Sequence, residues 1–115
     1  MSTEILSVTT RDTAGGARVV AAAGELDHDS VLVLRDAVEA AWTDGRDHVV
    51  VDLTLVTFCD SAGLSLFVEA HRRAQARNGA FHLAAPGDAV RHVLEATNLG
   101  RYLSIHPSLD DALRA

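Results

Sequence analysis

His48-Val-Val-Val-Asp-Leu53 is the segment that decides the fold, because it is a short and nearly unbroken apolar run. Such a run is typical of a central strand that is covered on both faces. An amphipathic helix follows from about Ser61 to Arg77, where the apolar residues take helical spacing. The residues of this helix predicted to be buried are Leu64, Phe67, Val68, His71 and Ala74. A buried strand that leads into a helix indicates an α/β sheet.

The residues before this segment predict a hairpin and a helix. Ile5 to Thr10 are rich in β-branched residues and predict a strand, and Gly15-Gly16 predicts a turn into a second strand over 18–26. From Ser30 the apolar residues again take helical spacing, with Asp29 or Ser30 as the candidate N-cap. Gly45 stops this first helix.

The residues after the segment predict two further strand and helix pairs. Asn78-Gly79 closes the second helix through a left-handed residue. Phe81 to Ala85 predict a strand, and Asp88 predicts the N-cap of a helix over 89–97. A last strand is expected around Tyr102 to His106, followed by a terminal helix capped by Ser108.

These elements give the order β-β-α-β-α-β-α-β-α and predict one α/β domain over residues 1–115. Right-handed crossovers between the later strands make that part of the sheet parallel, and the first hairpin adds an antiparallel edge. We therefore predict a mixed sheet of four to five strands with the helices mainly on one face. We find no repeat or linker that would divide the chain.

Composition excludes several classes of function. The chain has 115 residues, a net charge of -6 and no Lys, and its ten Arg are scattered, so binding to nucleic acid or to an anionic membrane surface is not expected. The sequence has no run of eighteen apolar residues, and its first residues do not show the basic region followed by an apolar region that is typical of an export signal. With Cys59 as the single cysteine, no intramolecular disulfide can form. We expect a cytoplasmic protein.

Asp60-Ser61, where the second helix begins, is the best candidate site. Both residues are good N-caps, so one interpretation is that they only satisfy the first N–H groups of the helix. The other is a functional hydroxyl, because loops after the carboxyl ends of parallel strands commonly carry sites. Gly63 lowers helix propensity by about 1 kcal/mol relative to Ala, which indicates a need for close backbone approach.

Two segments resemble the hallmark segments of the STAS-domain anti-anti-sigma factors. They are Gly24-Glu-Leu-Asp-His28 and Asp60-Ser-Ala-Gly-Leu64, the latter preceded by residues 49–58, and the element order agrees along essentially the whole chain. The resemblance implies that the unmodified protein binds an anti-sigma factor of the GHKL serine-kinase type and so releases a sigma factor. Phosphorylation of Ser61 would end binding, and a PP2C-type phosphatase would restore it.

The resemblance also implies which residues meet the partner. Asp27 matches an acidic residue beside the phosphorylation site, and Gly24 lies in the bend that presents it. The implied partner-binding set is Gly24, Asp27, His28, Asp60, Ser61, Ala62, Gly63 and Leu64. The chain departs from the family pattern at Ala62, where Ser or Thr is common, and at Ser65, where Gly is common. The resemblance implies no enzymatic activity and no cofactor, and it is compatible with a monomer.

Other functions were weighed on the residues. No two of the six His show the His-x3-His spacing of a zinc helix, so no metal site is expected. A Ser hydrolase would need a Gly-x-Ser-x-Gly elbow, whereas Cys59 precedes Ser61 by two residues. Cys59 itself is either a small buried hydrophobe or a thiol whose pKa is lowered by the helix N-terminus. A constitutive scaffold or ligand-sensing STAS domain, with Ser61 only as a cap, is the main alternative.

Overall fold

The structure is a computed structural model that describes residues 6–115. The strands are β1 (Ser7–Asp12), β2 (Ala17–Leu26), β3 (His48–Cys59), β4 (Ala80–Ala84) and β5 (Ser104–His106). The helices are α1 (Val31–Thr43), α2 (Ser61–Ala76), α3 (Asp88–Ala96) and α4 (Leu109–Arg114), with a 3₁₀ turn over Leu99–Arg101. The predicted order of elements is confirmed.

The five strands form one sheet in the order β1-β2-β3-β4-β5. β1 pairs antiparallel with β2, and every later pair is parallel. The main core lies on the side of the sheet that α1, α2 and α3 cover, whereas Ala112 of α4 packs on Val50 and Ala84 from the other side. Three crossovers of the same hand place three helices on one face. The predicted mixed α/β sheet with helices mainly on one face is thus confirmed.

β3 lies at the centre of the sheet and extends beyond the apolar run that marks it in the sequence. Val49, Val51 and Leu53 point into the main core, but the next inward residues, Val56 and Cys59, follow at intervals of three. The pairing with β2 shifts register twice, between Ala21 and Ala23 and between Gly24 and Glu25. Such β-bulges interrupt the two-residue alternation. The apolar run from His48 to Leu53 is therefore only the first half of the strand, which continues to Cys59.

Several other boundaries differ from the prediction by a few residues. α3 has Gly87 as its N-cap, and Asp88 is instead the first helical residue, where its carboxylate accepts from Arg91 at 2.5 Å. β5 begins at Ser104 instead of Tyr102 because the preceding residues close a 3₁₀ turn. β1 begins at Ser7, and the part of its predicted range at Ile5 lies outside the described residues.

The buried face of α2 was predicted only in part. Leu64, Phe67 and Ala74 are buried as expected, but Val68 and His71 are only half-buried. The structure instead buries Gly63, Leu66 and Ala70. α2 packs on both α1 and the sheet, so its buried face is centred on Phe67 and Ala70 and turned away from His71. Across residues 6–115 no helix has the length and apolar character needed to cross a membrane.

Candidate functional site

The two segments singled out in the sequence meet at the carboxyl ends of β2 and β3. β2 and β3 are parallel neighbours, and their last residues, Leu26 and Cys59, are paired. The Asp60 N–H donates to the Leu26 carbonyl at 3.1 Å, which ties the start of α2 to the end of β2. The β2–α1 loop, residues 27–30, therefore lies beside the N-terminus of α2.

Gly24 is required by the backbone at the end of β2. Its φ is +114°, in the region that L side chains rarely adopt, and a register shift between β2 and β3 follows it. The Thr57 hydroxyl donates to the Gly24 carbonyl at 3.4 Å. The structure places Gly24 in a bend of β2, three residues before Asp27, where it shapes the course of the chain into the loop.

The β2–α1 loop is held by its own side chains. Asp27 Oδ1 accepts from the Asp29 and Ser30 N–H groups, both at 3.0 Å, and from the Ser30 hydroxyl at 3.1 Å. The Ser30 hydroxyl also lies 2.8 Å from the Glu25 carbonyl and accepts from the Asp27 N–H at 3.0 Å. Ser30 occupies the N-cap position of α1 but its side chain makes no capping bond. Its buried hydroxyl fixes the loop instead, a role that sequence reasoning missed.

Asp60 is the N-cap of α2. Its Oδ1 accepts from the Ala62 N–H at 2.9 Å and the Gly63 N–H at 3.3 Å. Its Oδ2 accepts from the His28 N–H at 3.3 Å. The His28 imidazole is largely exposed and its Nδ1 lies 4.0 Å from the same oxygen. One carboxylate thus contacts both predicted segments.

Ser61 is the first residue of α2, and its side chain is exposed. Its hydroxyl makes no hydrogen bond to any of residues 6–115, and the capping bonds of α2 are made by Asp60. The interpretation of Ser61 as a helix cap is therefore wrong. The hydroxyl at this position is accessible from the solvent.

Gly63 is buried under the strand ends and leaves no room for a side chain. A Cβ at Gly63 would lie 2.7 Å from Cys59 Sγ and 2.9 Å from Leu26 Cδ2. The close approach predicted for Gly63 is thus one within the protein, between α2 and the sheet. Burial, and secondarily the charge of Asp60, raises the pKa of the Cys59 thiol to about 12. The alternative of a thiol with a lowered pKa is wrong.

A groove of about 400 Å³ runs along α2 from Ser61. Its lining residues are Ser61, Leu64, Ser65, Val68, Glu69, Arg72 and Leu99. Leu99 comes from the 3₁₀ turn, so sequence spacing could not have placed it here. Leu32 and Val33, in the first turn of α1, are exposed apolar residues that sequence reasoning also left unassigned.

The histidines do not converge on this site. His82 and His106 lie on β4 and β5, with Nδ1 of the first 3.0 Å from Nε2 of the second. Burial, and then the proximity of His106, lowers the pKa of His82. Over residues 6–115 no three His, Cys, Asp or Glu side chains are grouped in a way that could hold a metal ion.

Known proteins match this chain over most of its length. A family profile described as Mlab, STAS domain, matches residues 9–107. An anti-sigma F factor antagonist of Lysinibacillus sphaericus is 30% identical over 99 residues, covering 85% of this chain and 81% of that protein. The crystal structure of an anti-sigma factor antagonist from Mycobacterium paratuberculosis has a TM-score of 0.86 at 29% identity, covering 95% of this chain and 92% of its own.

The antagonist SpoIIAA shares the fold at lower identity. Its unphosphorylated form has a TM-score of 0.77 at 24% identity and covers 93% of each chain. The phosphorylated form of SpoIIAA from Bacillus has a TM-score of 0.71 at 23% identity, covering 94% of this chain and 97% of its own.

Proposed function

This chain belongs to the STAS-domain family, and on that basis we propose that it is an anti-sigma factor antagonist switched by phosphorylation of Ser61. The unmodified protein binds an anti-sigma factor of the GHKL serine-kinase type in the cytoplasm and, as a monomer, displaces a sigma factor. Phosphorylated Ser61 ends the interaction, and a PP2C-type phosphatase reverses it. The matched relatives are named as regulators, and the protein is not an enzyme.

The observation that carries this proposal is the exposed Ser61 hydroxyl that no intramolecular bond uses within residues 6–115. A residue that served only as a cap would be engaged with the helix N–H groups, and Asp60 fills that role. The hydroxyl also stands at the mouth of the groove along α2. Modification of this one atom therefore changes the surface that a partner meets, with no bond of the fold to break.

Electrostatics supports loss of binding on phosphorylation. A phosphate brings about -1.5 to -2 charges at pH 7. It would stand beside the Asp60 carboxylate and close to the loop that carries Asp27, on a chain whose net charge is already -6. A partner surface complementary to Asp27 and Asp60 would then have to desolvate the phosphate as well. Mismatched charges at an interface weaken binding by several kcal/mol. The positive end of the α2 dipole tolerates the phosphate, so the fold survives.

The groove along α2 supports the choice of a protein partner. Its apolar lining comes from Leu64, Val68 and Leu99, and Glu69 and Arg72 add one charge of each sign. Such a mixture suits a partner surface with apolar side chains and an acidic residue opposite Arg72. Ala62 and Ser65 border Ser61 in the helix, so the cognate kinase has to accept a residue without a hydroxyl at 62 and a side chain in place of the common Gly at 65.

Asp27 has one oxygen available to a partner. All three hydrogen bonds to its carboxylate use Oδ1, and Oδ2 accepts none from the described residues. Asp27→Asn keeps a carbonyl oxygen for the loop and removes the second acceptor and the charge. We expect this variant to fold normally and to bind the anti-sigma factor at least tenfold more weakly, as for a charged hydrogen bond lost at an interface. Unchanged affinity by calorimetry would remove Asp27 from the partner surface.

The central test uses Ser61 with Ser65 as a matched control, because Ser65 lies one turn later on α2 in the same groove. Candidate anti-sigma kinases and ATP are incubated with the wild type, Ser61→Ala and Ser65→Ala, and intact mass is measured. We expect one phosphate on the wild type and on Ser65→Ala, and none on Ser61→Ala. Ser61→Asp should lose binding, whereas Ser61→Ala and Ser65→Ala should keep it. Labelling of Ser61→Ala, or a constitutive interaction that Ser61→Asp leaves intact, would refute the switch.

A further inference from the structure

Asp60 joins the two halves of the site, because its two carboxylate oxygens serve different elements. Oδ1 caps α2 at the Ala62 and Gly63 N–H groups, and Oδ2 accepts from the His28 N–H in the β2–α1 loop. We propose that Asp60 is a positioning residue that sets Asp27 and His28 beside Ser61 for the partner. The part of this proposal that concerns binding rests on the proposed function.

The contacts of the β2–α1 loop with the rest of the protein fix its orientation relative to Ser61. Asp27 and Ser30 bond to each other, and the Ser30 hydroxyl also bonds to the Glu25 carbonyl of β2, so residues 27–30 hold their shape and are tied to the end of β2. At the base of the loop, the Asp60 N–H bonds to the Leu26 carbonyl. Beyond that base, the His28 N–H is the one group of the loop that bonds to the start of α2 within the described part of the chain. Oδ2 is therefore the direct link between the outer part of the loop and the helix that carries Ser61.

Both acceptors of a short carboxylate are needed for this arrangement. Asn is as good an N-cap as Asp, but it has one acceptor oxygen and an NH₂ group. In Asp60→Asn the oxygen stays on the two N–H groups of α2, and the NH₂ group is left facing the His28 N–H, donor against donor. Asp60→Asn thus separates the bridge to the loop from the cap of the helix, whereas Asp60→Ala removes both.

The experiment measures amide exchange in the isolated protein by NMR with water saturation transfer. In Asp60→Asn we expect the His28 amide to exchange roughly tenfold faster, the equivalent of one hydrogen bond to a charged acceptor. The Ala62 and Gly63 amides should keep their wild-type rates. Asp60→Ala should accelerate all three amides. Asp29→Asn is the control for charge, because Asp29 is exposed and, among residues 6–115, its carboxylate contacts only the His28 imidazole. It should change none of the three exchange rates.

The binding arm uses the same variants with the anti-sigma factor. Asp60→Asn should bind roughly tenfold more weakly than wild type while it stays folded, with a melting temperature lowered by no more than about 6 °C. If the His28 amide of Asp60→Asn exchanged at the wild-type rate, or if Asp29→Asn accelerated it equally, Asp60 Oδ2 would not be what protects the His28 N–H. Full affinity of Asp60→Asn despite faster exchange would overturn the positioning role. If the wild type binds no anti-sigma factor, the proposed function is wrong. The exchange rates then still test whether Asp60 Oδ2 holds the His28 N–H.

Discussion

Gly79 lies where the loop after α2 passes the start of β3, and we predict that Gly79→Ala is strongly destabilising. A Cβ at this position would lie 2.2 Å from the carbonyl oxygen of Asp47 and 3.0 Å from its carbonyl carbon. That oxygen accepts the Ala80 N–H at 2.9 Å, the first bond that aligns β4 with β3. Both contacting groups are backbone, so relief requires the two segments to separate by about 1 Å and weakens that bond.

The expected magnitude follows from these contacts. Overpacking against rigid atoms costs about 1–3 kcal/mol and a lost hydrogen bond about 1 kcal/mol, so Gly79→Ala should lower the free energy of unfolding by about 3 kcal/mol. An unfolding entropy of about 2.1 cal/mol/K per residue then gives a drop in Tm of roughly 12 °C for 115 residues. Urea unfolding and calorimetry measure both quantities.

Gly100→Ala is the matched control. A Cβ at Gly100 would meet only Ile105 Cδ1, at 4.0 Å, which is an ordinary contact. This variant should stay within about 0.5 kcal/mol of wild type. If Gly79→Ala lost no more stability than Gly100→Ala, the argument from the Asp47 carbonyl would be refuted.

Three further outcomes are expected. Gly63→Ala should destabilise by about 1–2 kcal/mol in urea, since overpacking outweighs the helix propensity gained, and a Cys59→Ala background should reduce that cost. The pKa of His82 is lower in the folded state than in the unfolded state, so as pH falls below about 6.5 the unfolded chain binds a proton that the folded chain does not. The free energy of unfolding should therefore decrease toward acid pH. The decrease should be less steep in His82→Gln. Ser108→Ala removes the capping bond to the Asp111 N–H and should cost about 1 kcal/mol, with a neutral result excluding that cap as a contributor.

The elements of the fold could be predicted because their signals are local. The apolar run at His48, the helical spacing after Ser61 and the left-handed residue at Asn78 each depend on a few neighbouring residues. The two bulges of β3 could not be predicted, since they arise from pairing with β2 and break the alternation that marks a strand. The same limit applies to α2, where packing against both α1 and the sheet decided that Ala70 rather than His71 is buried.

The sequence indicated which residues lie at the candidate site, but it did not indicate which hydrogen bonds they make. Asp60 and Ser61 are equally good caps in sequence, and only the backbone geometry assigns the cap to Asp60 and leaves Ser61 exposed. Gly63 was correctly marked as a position of close approach, yet the approaching group is Cys59 of the protein itself. The partner roles inferred from the resemblance stay predictions until binding is measured.

The sequence by itself determined the order of the strands and helices, the mixed sheet and the two candidate segments, because periodicity, caps and turn residues act over short distances. Only the tertiary structure decided that the Asp60 carboxylate contacts both segments, that Leu99 completes the groove beside Ser61, and that Gly79 must be glycine. Each of these depends on atoms far apart in the chain. Their distances are fixed by how the elements pack, and no local pattern encodes them.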